Sequence, residues 1–149
     1  MKNIDQILET ARQRAEKGGL PYAGALLPAE AYAVTVQMPH ARIVDVRSRA
    51  ELDFVGRIPD SIEVEWKTYP GMRPNPDFLR QLAQQTSPDQ TLLFICRSGG
   101  RSHEAALAAK EAGYRAYNVL EGFEGDRDKN DHRNNLGGWR AAGLPWVQS

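Results

Sequence analysis

The chain of 149 residues is 41 % hydrophobic, with one cysteine, three histidines and nineteen basic residues balancing nineteen acidic ones. That length suits one domain with a sizeable core, and balanced charge offers no overall field for nucleic acid or an anionic membrane surface, so any anion binding has to be local. A lone cysteine excludes an internal disulfide, no apolar run approaches the roughly 20 residues needed to cross a bilayer, and residues 1–6 lack the basic start and apolar stretch of a secretory signal, so a soluble domain in a reducing cytoplasm is expected.

Ile4, Ile7, Leu8, Ala11 and Ala15 recur at helical spacing up to Gly18-Gly19, which predicts a helix inside an N-terminal extension of residues 1–20. Pro28 in a favoured early position and Pro39 beyond the end frame a second helix over 28–37. The β-branched run Arg42-Ile43-Val44-Asp45-Val46 reads as a buried parallel strand that ends in charge. Ser48, with Glu51 three residues on, has the form of a capping box for a helix through Val55, which Gly56 stops. Residues 61–66 alternate like a strand, residues 68–76 hold three prolines and a glycine and read as loop, and residues 77–85 are helical again.

The second half repeats the rhythm: a strand over 91–95, a helix over 102–112 closed by Gly113, and a strand over 116–120. Such alternation implies crossover units and a mainly parallel sheet with helices on both faces, where ligands bind beyond the carboxyl ends of the strands. Residues 121–138 are rich in Gly, Asp, Asn, Arg and Lys. They read as a mobile polar loop, with a docking surface as the less favoured alternative.

Cys96 stands at one such strand end, where Leu92-Leu93-Phe94-Ile95 gives way to Arg97-Ser98-Gly99-Gly100-Arg101-Ser102 and then to an alanine-rich helix. Glycines let successive amides turn inward, a helix N-terminus adds partial positive charge, and two arginines add full charges, all of which favour a thiolate. Ser102 is expected to cap the helix that follows. A buried cysteine is often a small hydrophobe, but Arg-Ser-Gly-Gly-Arg is poor core material. His40, His103 and His132 are scattered and form no zinc spacing with one cysteine, so no metal is assigned. His103 stands next to the loop and could tune Cys96, yet on a helix's first turn it is expected to face solvent. Asp45 and Arg47 are expected to form a structural ion pair that supports the site. Trp66, Trp139 and Trp146 are expected to cover the sheet, with Trp66 or Trp139 able to wall a pocket. The glycine-rich loop lacks the Gly-Lys-Ser/Thr ending of a nucleotide P-loop, so ATP is not implied.

Residues 96–102 resemble the active-site loop of rhodanese-type sulfurtransferases, and three further segments resemble the family's flanking signatures in the right order. They are Ile43-Val44-Asp45-Val46-Arg47 with Glu51 after it, Gly56-Arg57-Ile58-Pro59-Asp60-Ser61, and Gly137-Gly138-Trp139 leading to Ala142-Gly143-Leu144-Pro145. The resemblance spans residues 24–147 and implies a single rhodanese-like α/β domain with a five-stranded sheet. It departs from the family pattern at Arg57 and Asp60-Ser61, where the family commonly has His and Gly-Ala, and in the long polar insertion before Trp139.

The resemblance implies covalent catalysis without a cofactor. Cys96 takes the outer sulfur of a small anion such as thiosulfate and passes it from a persulfide to cyanide, a thiol or a sulfur-carrier protein. Arg97 and Arg101 are the expected partners of the donor's sulfonate, with Arg101 pointing inward and Arg97 on the rim, and Ser98 and Ser102 supply hydroxyls. Two rivals share the fold class. Cysteine phosphatases of the cell-cycle type place five residues between Cys and Arg, against the four here, and arsenate reduction is a smaller possibility. Non-catalytic modules usually lack the cysteine, whereas a protein-to-protein sulfur relay keeps it.

Overall fold

The computed structural model describes residues 3–148. Helix α1 (Ile4–Lys17) begins with a capping box in which the Asn3 side chain accepts from the Gln6 amide at 2.9 Å and the Gln6 side chain accepts from the Asn3 amide at 3.3 Å. Strand β1 (Gly24–Leu26) and helix α2 (Pro28–Gln37) follow, then β2 (Ala41–Asp45), α3 (Arg49–Val55) and β3 (Ile62–Glu63). A short antiparallel pair, β4 (Lys67–Thr68) and β5 (Arg73–Pro74), leads to α4 (Phe78–Gln85), β6 (Thr91–Ile95), α5 (Gly100–Glu111) and β7 (Arg115–Val119).

The main sheet is parallel throughout, in the order β1-β7-β6-β2-β3. Because both faces are buried, its strands carry apolar side chains on either side, most continuously in β6. The two-residue period then sorts their side chains. Ile43, Leu93, Ile95, Tyr117 and Val119 join α1 and α2 in one core layer, while Val44, Leu92, Phe94 and Ala116 join α4 and α5 in the other. Cys96 belongs to the second layer, against Ala105 and Ala106 of α5. The predicted N-terminal helix lies on the sheet: Ile7 and Ala11 of α1 are part of the first layer, and a Cβ at Gly24 would fall 2.8–2.9 Å from Tyr117 and Ala11.

Two expectations are corrected, and one strand is added. Regular strand in the 61–66 segment is confined to Ile62–Glu63, although the Val64 and Trp66 amides still reach the Asp45 and Val46 carbonyls at 3.1 Å. The proline-rich loop contains the β4–β5 pair. Strand β1 carries no pattern of its own: three small or apolar residues form an edge strand because β7 offers a free ladder.

Beyond β2 the chain buries a full ion pair. Asp45 and Arg47 are both 0 % exposed, joined by Nε to Oδ1 at 3.0 Å and Nη2 to Oδ2 at 2.8 Å, and Nη2 also donates to the Gly56 carbonyl at 2.8 Å. Their mutual attraction offsets desolvation only while both remain. Asp45→Ala is therefore expected to cost about 3–5 kcal/mol in denaturant unfolding by stranding the guanidinium. A loss under about 1 kcal/mol would show that Arg47 finds other partners.

Candidate active site

The carboxyl end of β6 delivers Cys96 to the start of α5 through a three-residue turn. Gly99 makes that turn possible: its φ of 115° suits glycine, and it is the N-cap of α5. The helix thus starts earlier than its sequence suggests, and Ser102 is not its cap. Ser102 lies inside the first turn, fully buried, with its hydroxyl near the Gly99 carbonyl at 3.1 Å and Asn118 Oδ1 at 2.6 Å.

Cys96 is 1 % exposed. Its sulfur accepts the Gly99 N–H at 3.1 Å and lies 3.4 Å from the Ser102 hydroxyl oxygen, to which the thiol donates. The first-turn amides of α5 have no carbonyl one turn behind them and give the loop a positive end. Gly99 and Ser102 thus touch the sulfur, and Gly100 opens the helix behind it. Ser98 is half-buried on the turn and Arg97 is exposed.

The loop rests on the start of the polar segment. Phe123 N donates to the Cys96 carbonyl at 2.8 Å and Glu124 N to the Arg97 carbonyl at 3.0 Å. Gly122, at φ 64°, sits so close that a Cβ there would lie 2.5 Å from the Cys96 carbonyl oxygen. The Phe123 ring in turn lies under the Arg47 guanidinium, 4.1 Å from its carbon. Asp45 and Arg47 therefore support the site from below.

This corrects the expectation of a mobile loop over 121–138. Glu121 Oε1 accepts from Gly138 N at 3.0 Å, Asn134 N donates to the Glu124 carbonyl at 2.8 Å, and the Asp128 carboxylate gathers the amides of Asn130 and His132 and the Asn135 side chain. Polar composition here encodes local hydrogen bonding.

Arg101 holds its charge near the sulfur, but its fork is committed elsewhere. Nη1 and Nη2 meet the two carboxylate oxygens of Glu51 at 2.7 and 2.8 Å, so one N–H of each end nitrogen is spent on Glu51. Glu51 also accepts the Ser48 amide at 3.0 Å and the Ser48 hydroxyl at 2.9 Å, which makes the capping box of α3 an anchor for the loop. Burial raises the affinity of Glu51 for a proton. The Arg101 hydrogen bonds and charge, with the two Ser48 donors, outweigh it and hold the carboxyl down at about 2. Burial likewise works against the charge on Arg101, yet Glu51, and then the Cys96 and Asp45 charges, hold its affinity for the proton above the ordinary value.

His103 does not simply face solvent: its Nδ1 is 2.8 Å from the Tyr22 hydroxyl, with the two rings edge to face. Trp66 donates to Glu104 at 2.8 Å and packs on Phe78, and Trp139 is buried beneath the polar segment, donating to the Pro145 carbonyl at 2.8 Å. Among the described residues, no group of three or more His, Cys, Asp or Glu side chains could hold a metal ion, and no helix is long and apolar enough to cross a membrane.

The sequence profile of the rhodanese-like domain matches residues 28–129. The chain belongs to the rhodanese-like domain family. The crystal structure of Rv0390 from M. tuberculosis superposes on it with a TM-score of 0.80 at 43 % identity, covering 86 % of this chain and 99 % of that one. An uncharacterized protein of Rickettsia conorii is 32 % identical over 120 residues, covering 78 % of this chain and 91 % of its own. The polysulfide-sulfur transferase homodimer of Wolinella succinogenes, at 21 % identity, a TM-score of 0.58 and coverage of 84 % and 78 %, shares the fold. Rhodanese-like membership makes this a sulfur-transfer family and gives the Cys96 loop its context.

Sequence reasoning read Glu51 as a cap and as part of a flanking family signature, without pairing it to Arg101, and passed over Asn118 and Tyr22. A polar residue within the buried stretch 116–119 was the available signal for Asn118.

Because the folded-state value of Glu51 lies below its ordinary 4.5, its contribution is present above that pH and is lost as pH falls towards 2. Unfolding free energy should drop over that window by on the order of 2–3 kcal/mol, and Glu51→Gln should flatten the drop. An unchanged profile in Glu51→Gln would remove the Glu51–Arg101 anchor from the account.

Proposed function

We propose that the protein is a sulfurtransferase that carries a sulfane sulfur on Cys96, taking it from a small anion such as thiosulfate. The observation that carries this reading is the Cys96 sulfur at the N-terminus of α5, with the Gly99 amide 3.1 Å away and the Arg101 charge beside it. Thiolate attack on the outer sulfur of thiosulfate forms one S–S bond and breaks another, and sulfite leaves with the electron pair. The resulting persulfide anion is stabilised by fixed backbone donors that need no reorganisation during the reaction. Cyanide or a thiolate then takes the outer sulfur, and the Cys96 thiolate returns.

With Arg101 held in place by Glu51, the exposed Arg97, the loop amides and the N–H groups of Arg101 not bound to Glu51 are the candidates to receive the donor's sulfonate. The four-residue interval from Cys96 to Arg101 makes a narrow cradle, which fits one extra sulfur better than a phosphate ester on a bulky substrate. The chain has no second cysteine, so the sulfur leaves to another molecule, a small thiol or a carrier protein. A free catalytic thiol suits a reducing compartment such as the cytoplasm. The chemistry calls for no cofactor, no nucleic acid and no membrane.

Thiocyanate formation from thiosulfate and cyanide should follow two-step, ping-pong kinetics and fall to the uncatalysed background in Cys96→Ser, with the unfolding transition preserved. Retained turnover in that variant would refute the reading. A stable wild type that forms no thiocyanate would point to another donor or to a relay between proteins.

A further inference from the structure

Two groups touch the Cys96 sulfur, the Gly99 amide and the Ser102 hydroxyl, and one side chain binds both residues. Asn118 lies one strand over on β7, where the two-residue period turns it with Ala116 to the α5 face. It is 3 % exposed, and its amide straddles the first turn of α5. Oδ1 accepts the Ser102 hydroxyl at 2.6 Å, while Nδ2 donates to the Gly99 carbonyl at 3.4 Å. That carbonyl can only accept, so the amide nitrogen belongs on its side and the amide oxygen on the side of Ser102.

The decisive constraint is the single proton of Ser102. Three acceptors surround it: the Asn118 oxygen at 2.6 Å, the Gly99 carbonyl at 3.1 Å and the Cys96 sulfur at 3.4 Å. The Gly99 carbonyl already receives the His103 amide at 3.2 Å and the Asn118 nitrogen. The Asn118 oxygen is the nearest of the three and takes the proton, which leaves Ser102 facing the sulfur with lone pairs alone. A thiol suits that arrangement, because it donates to them. A thiolate or persulfide anion does not: Ser102 then has to turn its proton from the short bond to the sulfur. Asn118 Oδ1 loses that donor in a buried site, where solvent has little access to make up the loss.

We propose that Asn118 is a positioning residue that holds the Ser102 proton away from Cys96 and so tempers the thiolate that the Gly99 amide and the positive end of α5 favour. Such a brake serves nucleophilicity, which falls as a thiol becomes more acidic, so that a thiol ionising near the ambient pH attacks best. This role rests on Cys96 being the nucleophile of the proposed sulfur transfer. The charges around the loop are Arg101 of α5 with Glu51 of α3, Asp45 with Arg47 beyond β2, and Arg97 on the turn. His103 of α5 is bound to Tyr22, Glu104 to Trp66, and Glu121 after β7 to Gly138. Replacing Asn118 or Ser102 by an apolar residue alters none of these charges.

Because Cys96 is the only cysteine, the rate of its alkylation by iodoacetamide in the intact chain reports one thiolate. The rate is measured against pH for wild type, Asn118→Leu, Ser102→Ala and the double variant, each first shown to keep a cooperative unfolding transition. Leucine is close to asparagine in size and offers no acceptor, so in Asn118→Leu the Ser102 proton turns to the sulfur. The pH midpoint should fall by about one unit, the weight of one hydrogen bond. In the Ser102→Ala background the same substitution should leave the midpoint where it is. Lost packing alone would loosen the turn, weaken the Gly99 bond and move the midpoint up. A midpoint that rises or stays in Asn118→Leu, or that falls equally without the Ser102 hydroxyl, would overturn the proposal. Asn118→Ala gives the same readout if the leucine variant does not fold. Alkylation does not require sulfur transfer, so the expected fall in a protein that takes no sulfur from thiosulfate would refute the proposed function alone.

Discussion

The Asp45–Arg47 pair is the interaction on which the site's geometry depends. A guanidinium with no solvent exposure can exist at the end of β2 only because a carboxylate two residues earlier meets it with two oxygens. Once fixed, that guanidinium holds the Gly56 carbonyl that ends α3 and lies against the Phe123 ring. Phe123 holds the Cys96 carbonyl through its amide. The chain from buried charge to the Cys96 turn is therefore three contacts long, and it joins segments more than 70 residues apart.

The same economy governs charge near the sulfur. Arg101 spends one N–H of each end nitrogen on Glu51, and Glu51 is fixed by the cap of α3. A charge held in place contributes its field without the entropic cost of ordering a long side chain when substrate arrives. What the sulfur touches is smaller and more exactly placed: one backbone amide and one hydroxyl. In the sulfur transfer proposed above, a small anionic donor would be met by backbone groups and by the exposed Arg97.

Much of this was legible in the sequence because the signals were local. The apolar run 91–95 and the turn after it located Cys96, and Ser48 with Glu51 announced a capping box that the structure contains. The Asp45–Arg47 pair was readable because the partners are two residues apart. What was not legible depends on separations in sequence: Glu51 with Arg101 is 50 residues, Tyr22 with His103 is 81 and Ser102 with Asn118 is 16. The polar segment misled for a related reason. Gly, Asp and Asn mark solvated loops, but here Gly122 is required by close backbone contact and Asp128 by local caps.

The most direct test is the intact mass of the protein after brief exposure to thiosulfate, with Cys96→Ser alongside. Wild type should gain the mass of one sulfur atom and lose it when cyanide is added, while the variant gains nothing. A wild type that stays at its starting mass, or a variant that gains the same sulfur, would contradict a persulfide on Cys96.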